Sequence, residues 1–278
     1  MSAVVAPARA QTPTRPRQSF FANQIVRAVI AIAVFVLLWE IGVRLKLPIV
    51  ENVPAPSTVL DAWIPLLSDW GYWYSWYQSS RRVLSGFLAA MIIGIPFGLA
   101  MATSRIFYDV TFPVFEILRP IPPLAWVPAA IIFWPTQELS IGFVIFLGAI
   151  YTIMLNVVGG ARSIDVRYFQ AARSMGSSSW DIFRRIILPG VLPSIVVGCE
   201  VGIGITWNVV VAAEMISGGG GAISSAGGGL GFFIWNSYIG FSYPLIVVGM
   251  ISIGIAGWIS SAIIRRLGVL VTPWIAVR

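Results

Sequence analysis

The sequence predicts an all-α integral membrane protein of about six transmembrane helices with one polar loop between the fourth and fifth. Three observations carry this. Of 278 residues, 58% are hydrophobic and only 10% are charged, against about 25% charged in soluble domains. The mean hydropathy of +0.86 calls for a lipid solvent. The apolar residues fall in runs long enough to cross hydrocarbon, about 20 residues each. Many of the 12 Trp, 16 Phe and 8 Tyr stand at the ends of those runs, at headgroup level.

Residues 1–23 are rich in Ala, Pro, Thr and Arg, and Pro7, Pro13 and Pro16 break any helix. They predict a disordered cytoplasmic tail with no cleavable signal pattern. The first span runs over residues 25–47 and stops at Pro48; Glu40 and Arg44, one turn apart on it, predict a structural ion pair. Residues 24–78 thus comprise the first helix and an aromatic-rich outer segment, in which Ser57 caps a short helix over 58–67. Trp70, Trp73, Trp76, Tyr72, Tyr74 and Tyr77 then form an interfacial anchor. The core, 79–267, holds the second span (79–103), a third (110–134) interrupted by Pro120, Pro122, Pro123 and Pro128, a fourth (139–160), a fifth (186–217) and a sixth (243–267). Residues 268–278 are a C-terminal tail.

Charge sets the orientation. All of the 18 Lys and Arg except Arg44, Lys46, Arg81, Arg82 and Arg119 fall on one side if the N-terminus is inside. Both termini of this multi-pass chain are therefore expected to face the cytoplasm. The net charge of +7 flanks spans and forms no basic stripe on a soluble domain, so nucleic acid is not a partner. The sequence has no histidine and one cysteine, Cys199. A Ser–His dyad, a zinc site and an intrachain disulfide are thereby excluded. An aspartyl intramembrane protease needs two Asp within spans, yet Asp109, Asp165 and Asp181 lie at the cytoplasmic face. A secondary transporter predicts inverted repeats, and none is evident.

The most informative stretch is 160–193, GARSIDVRYFQAARSMGSSSWDIFRRIILPGVLP. It predicts one short helix over 164–175, a break at Gly176, an N-cap among Ser177, Ser178 and Ser179, a second helix over 180–187, and membrane re-entry at Leu188-Pro189. Such a helix–Gly–helix is a shape another protein can grip. It resembles the EAA loop (161–189) of ABC importer permeases: Ala171-Ala172, Gly176, then Ile186, Leu188 and Pro189, with Gln170 where the family has Glu. ILRPIPPLAWVPAAIIFW (117–134), AEMI (213–216) and GLGFFI (229–234) resemble the binding-protein-dependent, MetI-like permeases for nitrate, bicarbonate, aliphatic sulfonates and taurine. The cyanobacterial-type nitrate permeases are the most similar. PSTVLDAW (56–63) extends the resemblance ahead of 79–267.

The resemblance implies the membrane subunit of an importer moving a small inorganic anion, nitrate or nitrite first, with bicarbonate or sulfonate and taurine as alternatives. It implies two ATPase subunits that bind ATP and Mg, a second permease copy and an extracytoplasmic binding protein, with no cofactor in this chain. Gln170, Ala171, Ala172, Met175, Gly176 and Trp180 would form the ATPase-coupling surface. A small anion crossing hydrocarbon needs positive charge or donors. Arg119, well inside the third span, and Asn208 are such groups. With Trp126 and Trp207 they form the candidate anion pathway, while a pair between Arg119 and Glu116 is the structural alternative. Glu200 and Glu214 would repel an anion; Glu214 is expected to fix the outer end of its span. The Gly-rich run 217–231 lacks the Lys of a phosphate loop and predicts an outer gate or re-entrant turn.

Overall fold

The structure is a computed structural model describing residues 24–46, 52–216 and 228–274. The expected tail (1–23), most of the Gly-rich run (217–227) and the last four residues lie outside the described residues. The chain divides into two units, 1–58 and 59–278.

The first unit holds α1 (Gln24–Arg44), an apolar helix whose Ile32, Phe35 and Leu38 are exposed. The Arg44 Nε lies 2.6 Å from Glu40 Oε1. Glu40 also accepts from the backbone N–H of Ser57 (3.1 Å) and its hydroxyl (2.9 Å), so it pins the chain on the far side of the connecting segment. Ser57 therefore acts as a tether to Glu40 at the start of α2 (Pro56–Leu66).

The second unit is a helical bundle around α3 (Trp70–Thr103), α6 (Gln137–Arg162) and α9 (Leu188–Ile216). These three share one core, including Phe87, Ile145, Ile153, Val157, Ile203 and Val210. In lipid no hydrophobic force draws apolar helices together, so close packing through small residues does the work. A Cβ at Gly98 of α3 would stand 2.8 Å from Val157 Cβ and 3.1 Å from the Met154 carbonyl oxygen. One at Gly198 of α9 would stand 2.8 Å from Asn156 Cβ. Glycine thus sets the spacing on both sides of α6. On the outside, α10 (Gly229–Ile239) and α11 (Tyr243–Val271) pack against α9.

Among the described residues five helical stretches are long and apolar enough to cross a membrane: Val26–Arg44, Trp70–Thr103, Gln137–Arg162, Ser179–Ile216 and Tyr243–Val271. A sixth is a broken pair, α4 (Arg105–Leu118) and the segment Pro123–Phe133, bent by 86°. That segment is a 3-10 turn (Pro123–Trp126) running into α5 (Val127–Phe133). The prolines at 120, 122 and 123 remove amide donors and clash with preceding carbonyls, so the third span turns sharply at 119–122 instead of crossing straight.

Three expected boundaries change. The second span begins at Trp70, nine residues before the expected start, because Asp69 caps it by accepting from the N–H groups of Gly71 (3.1 Å) and Tyr72 (3.2 Å). Tyr72 is buried here: its hydroxyl receives the Trp63 indole N–H (3.1 Å) and bonds Ser252 of α11 (2.7 Å). The outer gate or re-entrant turn expected over 217–231 stops short of Gly229, where the packed helix α10 begins and runs to Ile239. The second loop helix does not end at Leu188-Pro189. Instead α8 (Ser179–Ile182) continues through a wide π turn (Phe183–Ile187) into α9. Pro189 has no N–H for the carbonyl four residues back; the helix widens one turn earlier, where the Leu188 N–H bonds the Phe183 carbonyl.

Candidate functional site

At the end of the bundle where α6 finishes, the chain makes α7 (Val166–Ser174) before α8. Each end of this unit is capped locally. Asp165 accepts from the Arg167 N–H (2.9 Å) at the start of α7. At its finish Gly176 takes φ +78°, and the Ser177 N–H reaches the Ala172 carbonyl (3.0 Å). That six-to-one bond with a left-handed glycine is a Schellman motif. Ser178 and Asp181 then form a reciprocal capping box that opens α8. The helix–turn–helix is thus rigid by local chemistry. It is anchored as well: a Cβ at Gly190 of α9 would stand 2.8 Å from Ile164 Cδ1, so the turn before α7 seats against α9.

Of the six residues expected on this surface, only Ala172 is buried. Gln170, Ala171, Met175, Gly176 and Trp180 are exposed, with Met175 at 78% and Trp180 at 66%. The Trp180 ring stacks on Phe183, centroids 5.5 Å apart. Behind it lies a recess of about 500 Å³ walled by Thr103, Ala161, Phe169, Arg173 and Ile187. The Gln170 side-chain amide has no hydrogen-bond partner among the described residues, so it points outward with its donors and acceptor unspent.

The four candidate pathway residues do not form one cluster. Arg119 caps the C-terminus of α4 at the break and is exposed. Among the described residues neither Arg119 nor Glu116 has an ion pair; both border a narrow crevice beside Tyr151 and Met154. Trp126 sits in the 3-10 turn across the break, partly buried, and among the described residues its indole N–H has no partner. Trp207 and Asn208 are neighbours on α9 that diverge. Trp207 is buried and donates to Ser260 of α11 (3.1 Å), while Asn208 is exposed. The broken span and this level of α9 do meet over α6. A Cβ at Gly148 would lie 3.1 Å from Val209 Cγ2 and 3.8 Å from Pro123 Cγ.

The opposite end of the bundle holds a site that the sequence reading leaves scattered. Arg82, read there as a flanking charge, is 5% exposed, and Glu214 is 1% exposed. The Arg82 Nη1 donates to Glu214 Oε1 (2.9 Å), while its Nη2 and Nε reach Glu138 at the start of α6. Arg81 adds a bond to Glu138 Oε2 (2.9 Å). Ser79 donates to Glu214 Oε2 (2.8 Å) and accepts from the Leu230 N–H (2.8 Å); the Gly231 N–H donates to Glu214 Oε2 (2.9 Å). One carboxylate thus meets a guanidinium, a hydroxyl and the first turn of α10, whose orphan donors and positive dipole end favour an anion. Four helices are joined: α3, α6, α9 and α10. Glu214 fixes the end of its span, as a carboxylate in an apolar run requires. Glu200 pairs instead with Arg265 of α11 (2.6 Å), half-exposed.

The glycines of GLG at 229–231 make this approach possible. Gly229 takes φ +71°, and a Cβ there would fall on the Glu214 carboxylate; one at Gly231 would fall on the Val211 carbonyl oxygen. Gly229→Ala is therefore expected to destabilise the protein by ~1–3 kcal/mol. Gly254→Ala on α11, where a Cβ meets nothing within 4 Å, should be neutral. Unfolding by SDS titration in mixed micelles checks both, and equal midpoints would refute the close approach.

Residues 94–277 match the family described as the binding-protein-dependent transport system inner membrane component. The chain is 34% identical to the nitrate import permease protein NrtB of Synechocystis sp., covering 98% of each chain. It is 33% identical to the bicarbonate transport system permease protein CmpB of Synechococcus elongatus, covering 72% of each. Its fold is shared with a chain of the MetNI methionine ABC transporter in an inward-facing conformation, at a TM-score of 0.60 and 18% identity, covering 70% of this chain and 94% of that one. With its helical bundle, broken third span and capped helix–turn–helix, the chain belongs to the family of inner membrane components of binding-protein-dependent transport systems.

Proposed function

We propose that this chain is the transmembrane subunit of an ATP-driven importer carrying a small inorganic anion, nitrate or nitrite, into the cytoplasm by alternating access. The choice of anion is supported by the likeness to the nitrate import permease over 98% of both chains. The likeness to the bicarbonate permease supports bicarbonate as the second reading. In this reading the chain is not itself an enzyme. Two separate ATPase subunits bind and hydrolyse ATP, a second copy of the chain completes the pathway, and an extracytoplasmic protein delivers the anion. Both termini and the α7–α8 unit face the cytoplasm, as the distribution of Arg favours.

The observation that carries the coupling role is mechanical. The α7–α8 unit is stiff, exposed and joined to two core helices, to α6 by a three-residue turn and to α9 without interruption. A displacement applied to Met175, Gly176 and Trp180 passes into α9 as a rigid-body motion, and α6 and α9 pack on one another along their length. That suits a two-state tilt of spans around a central path. The exposed donors for an anion are the Arg119 guanidinium and the Asn208 amide; the Trp126 indole N–H is buried and, among the described residues, unpartnered. Trp207, its own N–H taken by Ser260, lines this reading as wall rather than donor.

The test is reconstitution. Proteoliposomes holding the permease with its ATPase and binding protein should accumulate nitrate in an ATP-dependent manner. Uptake of bicarbonate in preference to nitrate would reassign the cargo, and no ATP-dependent uptake would refute the importer. Arg119→Ala should lower nitrate uptake by roughly tenfold, one charge-assisted hydrogen bond, with the complex still assembled on size exclusion. Unchanged uptake would remove Arg119 from the path.

A further inference from the structure

On the outer surface of the bundle α3 and α6 leave a groove of about 470 Å³ between them. Its walls are two stripes at helical spacing, Ser85, Ala89 and Ile93 on α3 and Gly142, Phe143 and Phe146 on α6. Both helices are long and apolar enough to cross a membrane, and apart from Ser85 and Glu138 the groove is lined by apolar groups. One end is closed by the Glu138 carboxylate and by Trp134, whose ring lies 5.7 Å from that of Phe143. Arg81, half-exposed, spends one N–H on that Glu138 carboxylate. A guanidinium carries five N–H donors, and among the described residues the others of Arg81 are unspent.

We infer that this groove binds one phospholipid, an acyl chain lying between the two stripes and its phosphate accepting from Arg81. Three features select that occupant. Size is the first: one turn of α-helix, ~10–12 Å across and 5.4 Å in pitch, fills ~500 Å³, so the recess suits a single linear chain and not a helix. Charge is the second. Arg81 and Arg82 together balance Glu138 and Glu214, and the N–H donors of Arg81 not spent on Glu138 are left to a phosphate at the interfacial end of the span. The cluster of Arg81, Arg82, Glu138 and Glu214 is neutral as a whole, which fits a zwitterionic head group. Shape is the third. Gly86 at the floor cannot carry a side chain, since its Cβ would lie 2.6 Å from Ile145 Cγ2, but among the described residues a Cβ at Gly142 meets nothing within 4 Å. The missing side chain at Gly142 is therefore not demanded by helix packing, and it leaves the groove open.

The experiment uses the full chain in nanodiscs of phosphatidylethanolamine, released into detergent and weighed by native mass spectrometry. The wild-type protein should retain one phospholipid per chain. Gly142→Leu, which fills the groove from a position that tolerates a Cβ, should abolish that adduct with an unchanged melting temperature. Arg81→Ala should lower the retained fraction by roughly tenfold through loss of one charge-assisted hydrogen bond. Retention unaffected by either substitution overturns the proposal. So does a Gly142→Leu protein that keeps its lipid but loses a protein–protein contact in the same spectra, which would give the groove to a second chain.

Discussion

Arg82→Ala is expected to cost ~3–5 kcal/mol of stability, more than any other single substitution at the Glu214 end of the bundle. The reason is the charge left behind. Glu214 is 1% exposed and Arg82 is its cation; a buried ion that loses its partner bears its desolvation uncompensated. Glu138 suffers much less, because it is half-exposed and keeps Arg81. Glu214→Gln should be milder. The amide still accepts from Gly231 and Ser79, and Arg82 retains Glu138. The double substitution Arg82→Met with Glu214→Met should recover much of the loss, since a buried pair exchanged for apolar groups of similar volume is often neutral. SDS-titration midpoints of the three proteins give the ranking. A Glu214→Gln loss as large as that of Arg82→Ala would show that the carboxylate, not its pairing, holds the four helices.

What could be read in the sequence divides along the range of the interactions involved. Span length and composition are local, so the broad course of the five continuous spans was legible. The bend in the third was legible too, because its cause is prolines at 120, 122 and 123, whose effect reaches only four residues. The same holds for the helix–turn–helix. Asp165, Gly176, Ser178 and Asp181 act on backbone groups within five residues of themselves, and each leaves a mark in the sequence. Helix α10 was hidden by a local rule applied where packing decides. Glycine usually breaks a helix, yet Gly229 and Gly231 are there to let the first turn of α10 close on Glu214 and Val211. The extension of α3 was hidden by its aromatic residues, which suited an interfacial segment equally well; Asp69 was the available signal. Arg82 was out of reach. Its partners lie 56 and 132 residues away, and no periodicity marks such a pairing. The clue was chemical: Glu214 in an apolar run demands a cation, and Arg82 is one of few on a span at that end.

Met175→Asp is expected to separate coupling from folding. Met175 is 78% exposed at the C-terminus of α7, so the substitution withdraws almost no buried surface, and the Schellman turn at Gly176 relies on backbone groups alone. An aspartate at the negative end of the helix dipole costs only ~0.3–1 kcal/mol. In a docked interface the same change sets an uncompensated carboxylate against a desolvated partner, a loss of several kcal/mol and so more than a hundredfold in affinity. Pull-down of the ATPase from detergent-solubilised membranes should therefore fail, ATP-dependent nitrate uptake should fall to background, and the SDS-titration midpoint should stay within ~1 kcal/mol of the wild type. Gln170→Glu is the informative companion. Gln170 is exposed with its amide unspent, so adding the charge leaves the fold untouched and reports on the partner alone. Tighter ATPase binding would mean a cation stands opposite position 170. Weaker binding would mean the ATPase presents a group suited to an amide at that position. An ATPase that still co-purifies with Met175→Asp, and still drives uptake, would place the coupling surface elsewhere than the α7–α8 turn.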